Sequence, residues 1–254
     1  MPYRNIYECV LDLEKHGKLV RISQEVDPDQ EMAEIQRRVF EAGGPAVFYE
    51  KVKGSPFPVV SNLFGTMERT RFIFRETLEN VKKLVRAKAN PAAALSKPLN
   101  YPGILMAAVN SLPLKISGGP VMECETTISA LPQIKSWPMD GGSFILLPQV
   151  YTENQAKPGV WNSNLGMYRI QMSGNQYVSN QEVGLHYQIR RDIGVHHAVA
   201  LEYGEKLRVS IFIGGPPAHT FAAVMYLPPG LPEIAFAGSL AGRNFQYTRS
   251  GGHL

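Results

Sequence analysis

Cysteine is scarce in this sequence. Cys9 and Cys124 are its two cysteines in 254 residues, too few and too far apart for a disulfide framework or a thiolate zinc site, so a reducing, cytoplasmic setting is the expectation. Long apolar runs are missing as well. YPGILMAAV (101–109) and IAFAGSLAG (234–242) fall well short of the roughly 20 residues a membrane span needs, and no signal-peptide pattern is visible, so stable membrane insertion is not expected. Charge of one sign is never concentrated. The formal net charge is +4, but lysines and arginines are spread along the chain rather than blocked as in nucleic-acid-binding arms; this fits a small anionic ligand and argues against a nucleic-acid partner. Also missing are G-x-S-x-G, a phosphate loop, G-x-G-x-x-G and C-x-x-C, which removes the usual hydrolase, nucleotide and redox signatures.

What remains has ordinary globular composition, 44% hydrophobic and 19% charged, with length for one large or two modest domains. Ile6 to His16 carries apolar residues at helical spacing and stops at Gly17, a residue suited to a left-handed helix end. KLVRISQEV follows as a strand; Asp27 is placed to cap a helix from Gln30 to Ala42, and Gly43 and Gly44 close it. AVFYEKV and FPVVSNLFG are further strand candidates, and TMERTRFIFRETLENVKKLVRAKA reads as helix with a break near Thr77. This alternation predicts an N-terminal α/β domain over residues 1–105. From about Asn100 prolines, glycines and short apolar runs take over, predicting a mostly β domain over 106–254. Its strand candidates lie at 162–172, 176–179, 183–189 and RVSIFIGG, with helices at VHHAVALEYGEK, AHTFAAVM and PEIAFAGSLAG.

The polar residues that could carry chemistry are scattered. Asn164, His186 and Glu233 together offer an amide oxygen, an imidazole and a carboxylate, a set that suits Mn2+ or Mg2+ better than zinc and leaves room for phosphate oxygens. The plainer alternative is a turn asparagine, a strand histidine and a glutamate favoured by a helix dipole. Arg169, in WNSNLGMYRIQ, is either a guanidinium awaiting an anionic ligand or a strand-edge arginine facing water. His196 and His197 fit surface or capping roles better than catalysis. The GGPP turn either brings backbone close to a ligand or merely joins strand to helix. Asn164 and Arg169 are five residues apart, a separation that puts them on opposite faces of a regular strand; if both serve one ligand the backbone must bulge or twist, and Gly166 is the residue that permits it.

The order of motifs says more than any one of them. SNLGMYRIQ, then VGLHYQIRRDIGVHH, VSIFIGGPPAHTFAAVM and PEIAFAGSLAG, preceded by LPQIKSWPMDGGSFI and by DLEKHGKLVRISQEVDPDQEMAEIQRRVFEAGGPAVFYEKVKG, resembles the UbiD family of reversible decarboxylases that use prenylated FMN. The resemblance implies an α/β (α+β) chain whose second domain is a flavin-binding split β-barrel, acting as a carboxy-lyase on an aromatic or α,β-unsaturated carboxylic acid. It places Asn164, His186 and Glu233 on a divalent manganese (or magnesium) that bridges to the cofactor phosphate, and it allows K+ as a further ion. It places Met167, Tyr168 and Arg169 against the prenylated flavin, with Leu185, Ala223, Val224 and Met225 as further lining, and it gives Arg169 the substrate carboxylate to hold.

One part of the family pattern has no counterpart. The catalytic glutamates of an E-G-P-x-G-E-like segment, and the domain beyond it, are expected downstream of the AFAG helix, whereas this sequence ends at YTRSGGHL. Glu123, Glu125, Glu182, Glu202 and Glu205 stand in unrelated places. The expectation is therefore the front half of such an enzyme, with a second chain supplying the remainder or with self-association over an open apolar face. The alternative is a non-catalytic flavin-binding module or subunit.

Overall fold

The computed structural model describes residues 3–89, 103–190, 192–227 and 231–249. Helix α1 (Ile6–Lys15) is capped by the Asn5 side chain, which accepts a hydrogen bond from the Glu8 N–H, and it ends at Gly17 with φ 66°. Strands β1 (Leu19–Val26) and β2 (Ala46–Val52) pair in parallel through α2 (Glu31–Glu41), and β3 (Val59–Ser61) adds antiparallel to β2. A central strand covered on both faces needs apolar side chains in both directions. Ala46 and Phe48 accordingly enter the cluster that contains Cys9, Val10 and Leu13 of α1, while Val47 and Tyr49 pack with Met32 of α2. Asp27 is not the cap of α2. Its Oδ1 accepts from the Asp29 N–H two residues on, its Oδ2 pairs with Lys53, and Gln30 at φ 67° occupies the cap position without a side-chain bond.

The break expected near Thr77 separates α3 (Met67–Ile73) from α4 (Leu78–Ala89). Helix α5 (Ile104–Asn110) lies within the stretch where mostly β structure was expected. It crosses α8 (Glu233–Ala241) closely: a Cβ on Gly238 would lie 2.2 Å from the Asn110 carbonyl oxygen, and the Ser239 Oγ donates to the Ala107 carbonyl at 2.8 Å. All of α8 after Glu233 is buried, which its apolar and small residues require of a central helix. The largest buried cluster draws Val10 and Leu13 from one side of residue 105 and Tyr151, Leu165, Ile234 and Leu240 from the other.

The remaining strands are short. β6 (Gln149–Glu153) lies between β7 (Ser163–Gly166) and β10 (Ser210–Phe212), and β8 (Ile170–Gln171) lies between β5 (Phe144–Ile145) and β9 (Gly184–Leu185), all antiparallel; β4 (Leu114–Lys115) pairs in parallel with β11 (Gln246–Tyr247). Among the described residues these sheets do not close into a barrel. The 162–172 candidate is thus two strands in two sheets, 176–179 is a turn flanked by Asn175 and Asn180 at positive φ, and 183–189 shrinks to two residues. Helices α6 (Asp192–Glu202) and α7 (Pro217–Ala222) stand where helices were expected.

Candidate functional site

Two neighbourhoods meet at the link between β7 and β8. The first is a cavity of about 310 Å³ whose lining includes Asn164 from β7, Asp192, Val195 and His196 from α6, and Glu233 at the start of α8. Glu233 occupies the first turn of its helix, where free N–H groups favour an anion, and its Oε2 accepts the Leu165 N–H at 3.1 Å. Burial is the largest influence on its carboxyl and raises its pKa; the Leu165 and Glu233 N–H groups oppose this, and the Asp192 charge adds to it. Asn164 is 5% exposed, and its Nδ2 makes no hydrogen bond. A buried polar atom left unpaired is costly.

The second neighbourhood surrounds Arg169 on the β5-β8-β9 sheet. Its guanidinium carbon lies 3.9 Å over the Phe144 ring, and Nη1 donates to Asp140 Oδ1 at 3.1 Å. His186 meets the same ring edge-on, with centroids 5.7 Å apart, and its Nε2 lies 3.1 Å from Gln171 Oε1. The expected metal trio is therefore split. Asn164 and Glu233 share the cavity, whereas His186 is an exposed residue that does not line it and is bonded to Gln171.

Between the two, β7 ends at Gly166 and the chain crosses to β8 through Met167, Tyr168 and Arg169. Gly166, named in the sequence as the residue that permits a bulge or twist, has a close neighbour here. A Cβ there would lie 2.4 Å from the Tyr168 ring, so the absence of a side chain lets that ring lie against the strand end. The Tyr168 pKa is raised by burial first, with the neighbouring Asn164 amide and the Ile193 N–H pulling the other way. The Met167 N–H donates to the Ala223 carbonyl at 3.1 Å, tying the crossing to the end of α7. Of the other expected lining residues, Leu185 is half-buried beside Ile170, Ala223 is buried, and Val224 and Met225 are exposed.

His196 is not at the surface. It is 8% exposed, shares a 2.9 Å hydrogen bond with Thr152 Oγ1, and has its pKa lowered by burial. His197 contacts the Tyr187 hydroxyl. The sequence reading gave neither Asp140 nor Asp192 a role. Asp140 had a usable signal, an acid closing a Trp-Pro-Met-Asp turn, because Pro in the second place favours such turns; Asp192 had none beyond its place before an apolar helix.

The unpaired Asn164 amide fits an oxygen ligand for a cation. Its carbonyl oxygen is a hard donor, and a divalent ion in the cavity would also offset the cost of ionising Glu233. Hard oxygen donors of this kind match Mn2+ or Mg2+.

The chain matches two family models, the 3-octaprenyl-4-hydroxybenzoate carboxy-lyase N-terminal domain over residues 10–88 and the Rift-related domain of the same carboxy-lyases over residues 102–253. It is 36% identical over 240 residues to a 4-hydroxybenzoate decarboxylase subunit of Chlamydia pneumoniae, covering 93% of this chain and 40% of the relative, and 32% identical over 252 residues to a protein of Archaeoglobus fulgidus, covering 98% and 51%. Among solved structures it resembles the vanillic acid decarboxylase of Sedimentibacter hydroxybenzoicus in its closed form, with TM-score 0.78 and 25% identity over 98% of this chain and 51% of that one. The UbiD-class enzyme HmfF of Pelotomaculum thermopropionicum in complex with FMN shares the fold, with TM-score 0.75 and 23% identity over 97% and 50%. The chain thus spans between about two fifths and half of the relatives it matches. Two family models covering most of its length, and a relative 36% identical over nearly all of it, place this chain in the UbiD family of carboxy-lyases.

Proposed function

We propose that this chain is the metal- and flavin-holding part of a reversible, non-oxidative decarboxylase acting on an aromatic or α,β-unsaturated carboxylic acid. The observation that carries this is the cavity in which the buried Asn164 amide and the Glu233 carboxylate stand together, in a chain of the carboxy-lyase family. Asn164 and Glu233 would hold Mn2+ or Mg2+, the ion that would anchor a flavin phosphate. His186 would join them only by giving up its Gln171 contact. Met167 and Tyr168 link this end to Arg169, with Met167 bonded to Ala223, and we place the flavin along these residues in a split barrel completed around it. Prenylated FMN, when bound, supplies the electron sink for the carbon–carbon bond that breaks. Arg169 binds the substrate carboxylate through charge-assisted hydrogen bonds and fixes the bond to be cleaved. The Phe144 face beneath the guanidinium excludes water from one side of it. The acid that returns a proton to the carbon after carbon dioxide leaves is assigned to no residue of this chain; we place it on a second polypeptide or segment.

A second reading, a flavin-binding subunit inactive by itself, is favoured by the Chlamydia pneumoniae relative, which is named as one subunit of a decarboxylase, and by the Sedimentibacter enzyme, whose structures include a separate ShVdcD chain. The two readings separate in one experiment. The chain is loaded with prenylated FMN and Mn2+, with and without the product of the adjacent reading frame, and a panel of cinnamic and hydroxybenzoic acids is followed for loss of carbon dioxide. Turnover by the chain alone supports the decarboxylase, turnover only with the added product supports the subunit inactive by itself, bound flavin without turnover in either supports a non-catalytic flavin-binding module, and no bound flavin contradicts all three.

A further inference from the structure

Asp140 and Arg169 form a charge pair with one side closed and one side open. The Asp140 side chain is 10% exposed and that of Arg169 is 44% exposed, so the carboxylate sits behind the guanidinium. Asp140 is itself fixed. Its Oδ2 accepts the Trp137 N–H at 3.1 Å, and its own N–H donates to the Trp137 carbonyl at 3.0 Å, closing the Trp137–Asp140 turn. The next residues are clamped to the chain leaving β8: a Cβ on Gly142 would lie 2.0 Å from the Ser173 carbonyl oxygen, one on Gly174 would lie 1.7 Å from that of Gly141, and the Met172 N–H donates to the Ser143 carbonyl at 2.8 Å. Acid and base are thus held on one rigid unit, with Phe144 beneath the guanidinium at 3.9 Å. Among the described residues only Nη1 of Arg169 has a protein acceptor, which leaves Nε and Nη2 for a ligand.

The charge balance gives this arrangement a consequence. A carboxylate approaching a bare guanidinium is attracted by a full positive charge, whereas one approaching the pair meets a charge already balanced from behind. In a decarboxylation the carboxylate is consumed, so a strong hold on it stabilises the ground state and raises the barrier. We propose that Asp140 is the positioning residue of Arg169: it orients the guanidinium toward the open side and keeps its grip on the substrate carboxylate weak enough for carbon dioxide to leave. This rests on Arg169 being the carboxylate-binding residue.

The test uses the full chain, with benzoate as the probe at fixed low ionic strength and pH 7, and with side-chain NMR of the arginines to follow Arg169. Asp140→Asn keeps an oxygen for the Trp137 N–H and removes the charge. It is expected to tighten benzoate binding about two- to fivefold, the range an exposed charge of this kind controls, and to shift the Arg169 Nε signal. Mere damage to the fold would weaken binding, so tightening separates a positioning role from a structural one. Unchanged affinity and an unchanged signal would overturn the inference while leaving Arg169 as the carboxylate site. Arg169→Gln is expected to abolish benzoate binding; if it binds as the wild type does, or if no form binds benzoate, the reading of Arg169 falls and the inference with it. Should Asp140→Asn fail to fold, the wild type decides: a restrained Arg169 Nη signal without benzoate supports the pair, and freely averaged Nη signals contradict it.

Discussion

Asn164 and Arg169, five residues apart in one chain, belong to two different neighbourhoods: Asn164 pairs with Thr152 in the β10-β6-β7 sheet, and Arg169 ends the link that leads into Ile170 of the β5-β8-β9 sheet. The turn through Met167 and Tyr168 lets one side chain serve a cavity and the other an open aromatic platform. A continuous strand could not present the two ends in this way.

The crossing depends on Gly166. Gly166→Ala puts a Cβ 2.4 Å from the Tyr168 ring and is expected to cost about 1–3 kcal/mol, the range for overpacking a filled site. Urea unfolding measures this. A variant as stable as the wild type would mean that the Tyr168 ring moves aside freely.

Glu233 should make metal binding depend on pH. Because burial raises its carboxyl pKa above the ordinary 4.5, protons compete with the metal to a higher pH than at an exposed glutamate, so Mn2+ affinity falls with decreasing pH through a midpoint above 4.5. Glu233→Gln should lose at least the roughly 10–100-fold that removal of even an outer-shell partner costs. Calorimetric Mn2+ titrations of both proteins across pH check this; a flat profile, or wild-type affinity in the variant, contradicts it.

Much of the fold was legible because its signals are local. Helix α1, strand β2 and the α3–α4 break are set by Asn5, Gly17, an apolar run and a short interruption, all within a few residues of the structure they decide. The site was legible only in part. Asn164 and Glu233 are brought into one cavity from 69 positions apart by the packing of α8 against β7, which neither segment encodes alone. His196 looked like a surface residue because two adjacent histidines open an apolar helix, yet it is buried against Thr152 where it lines the cavity. Asp140 escaped notice because its partner is 29 residues away, beyond the range of any spacing rule.

His219 should make stability depend on pH. Burial first, and then the Arg243 charge, lower its pKa from 6.5 to about 4, with its ring 4.5 Å from that of Phe245. Between those values the unfolded chain binds a proton that the folded chain refuses, so stability falls as pH drops through this window. The effect amounts to about 3 kcal/mol at most. His219→Gln should flatten the slope of unfolding free energy between pH 4 and 6.5; an unchanged slope would assign the dependence elsewhere.

The surface of α5 should associate. Leu105 is 79% exposed and Met106 is 64% exposed, with Leu112 and Leu114 exposed close by in the chain, an apolar patch of the kind that marks a contact surface. Light scattering should show self-association that Leu105→Glu reduces. A clean monomer at all concentrations would contradict this.

The most direct measurement is retention of flavin by the purified chain. After incubation with prenylated FMN, with and without Mn2+, and gel filtration, the expected result is flavin absorbance eluting with the protein only when Mn2+ is present. Asn164→Ala and Glu233→Gln should abolish that retention while leaving the elution volume unchanged. No retained flavin under any condition, or equal retention by both variants, would contradict the assignment of the cavity as the metal end of a flavin site.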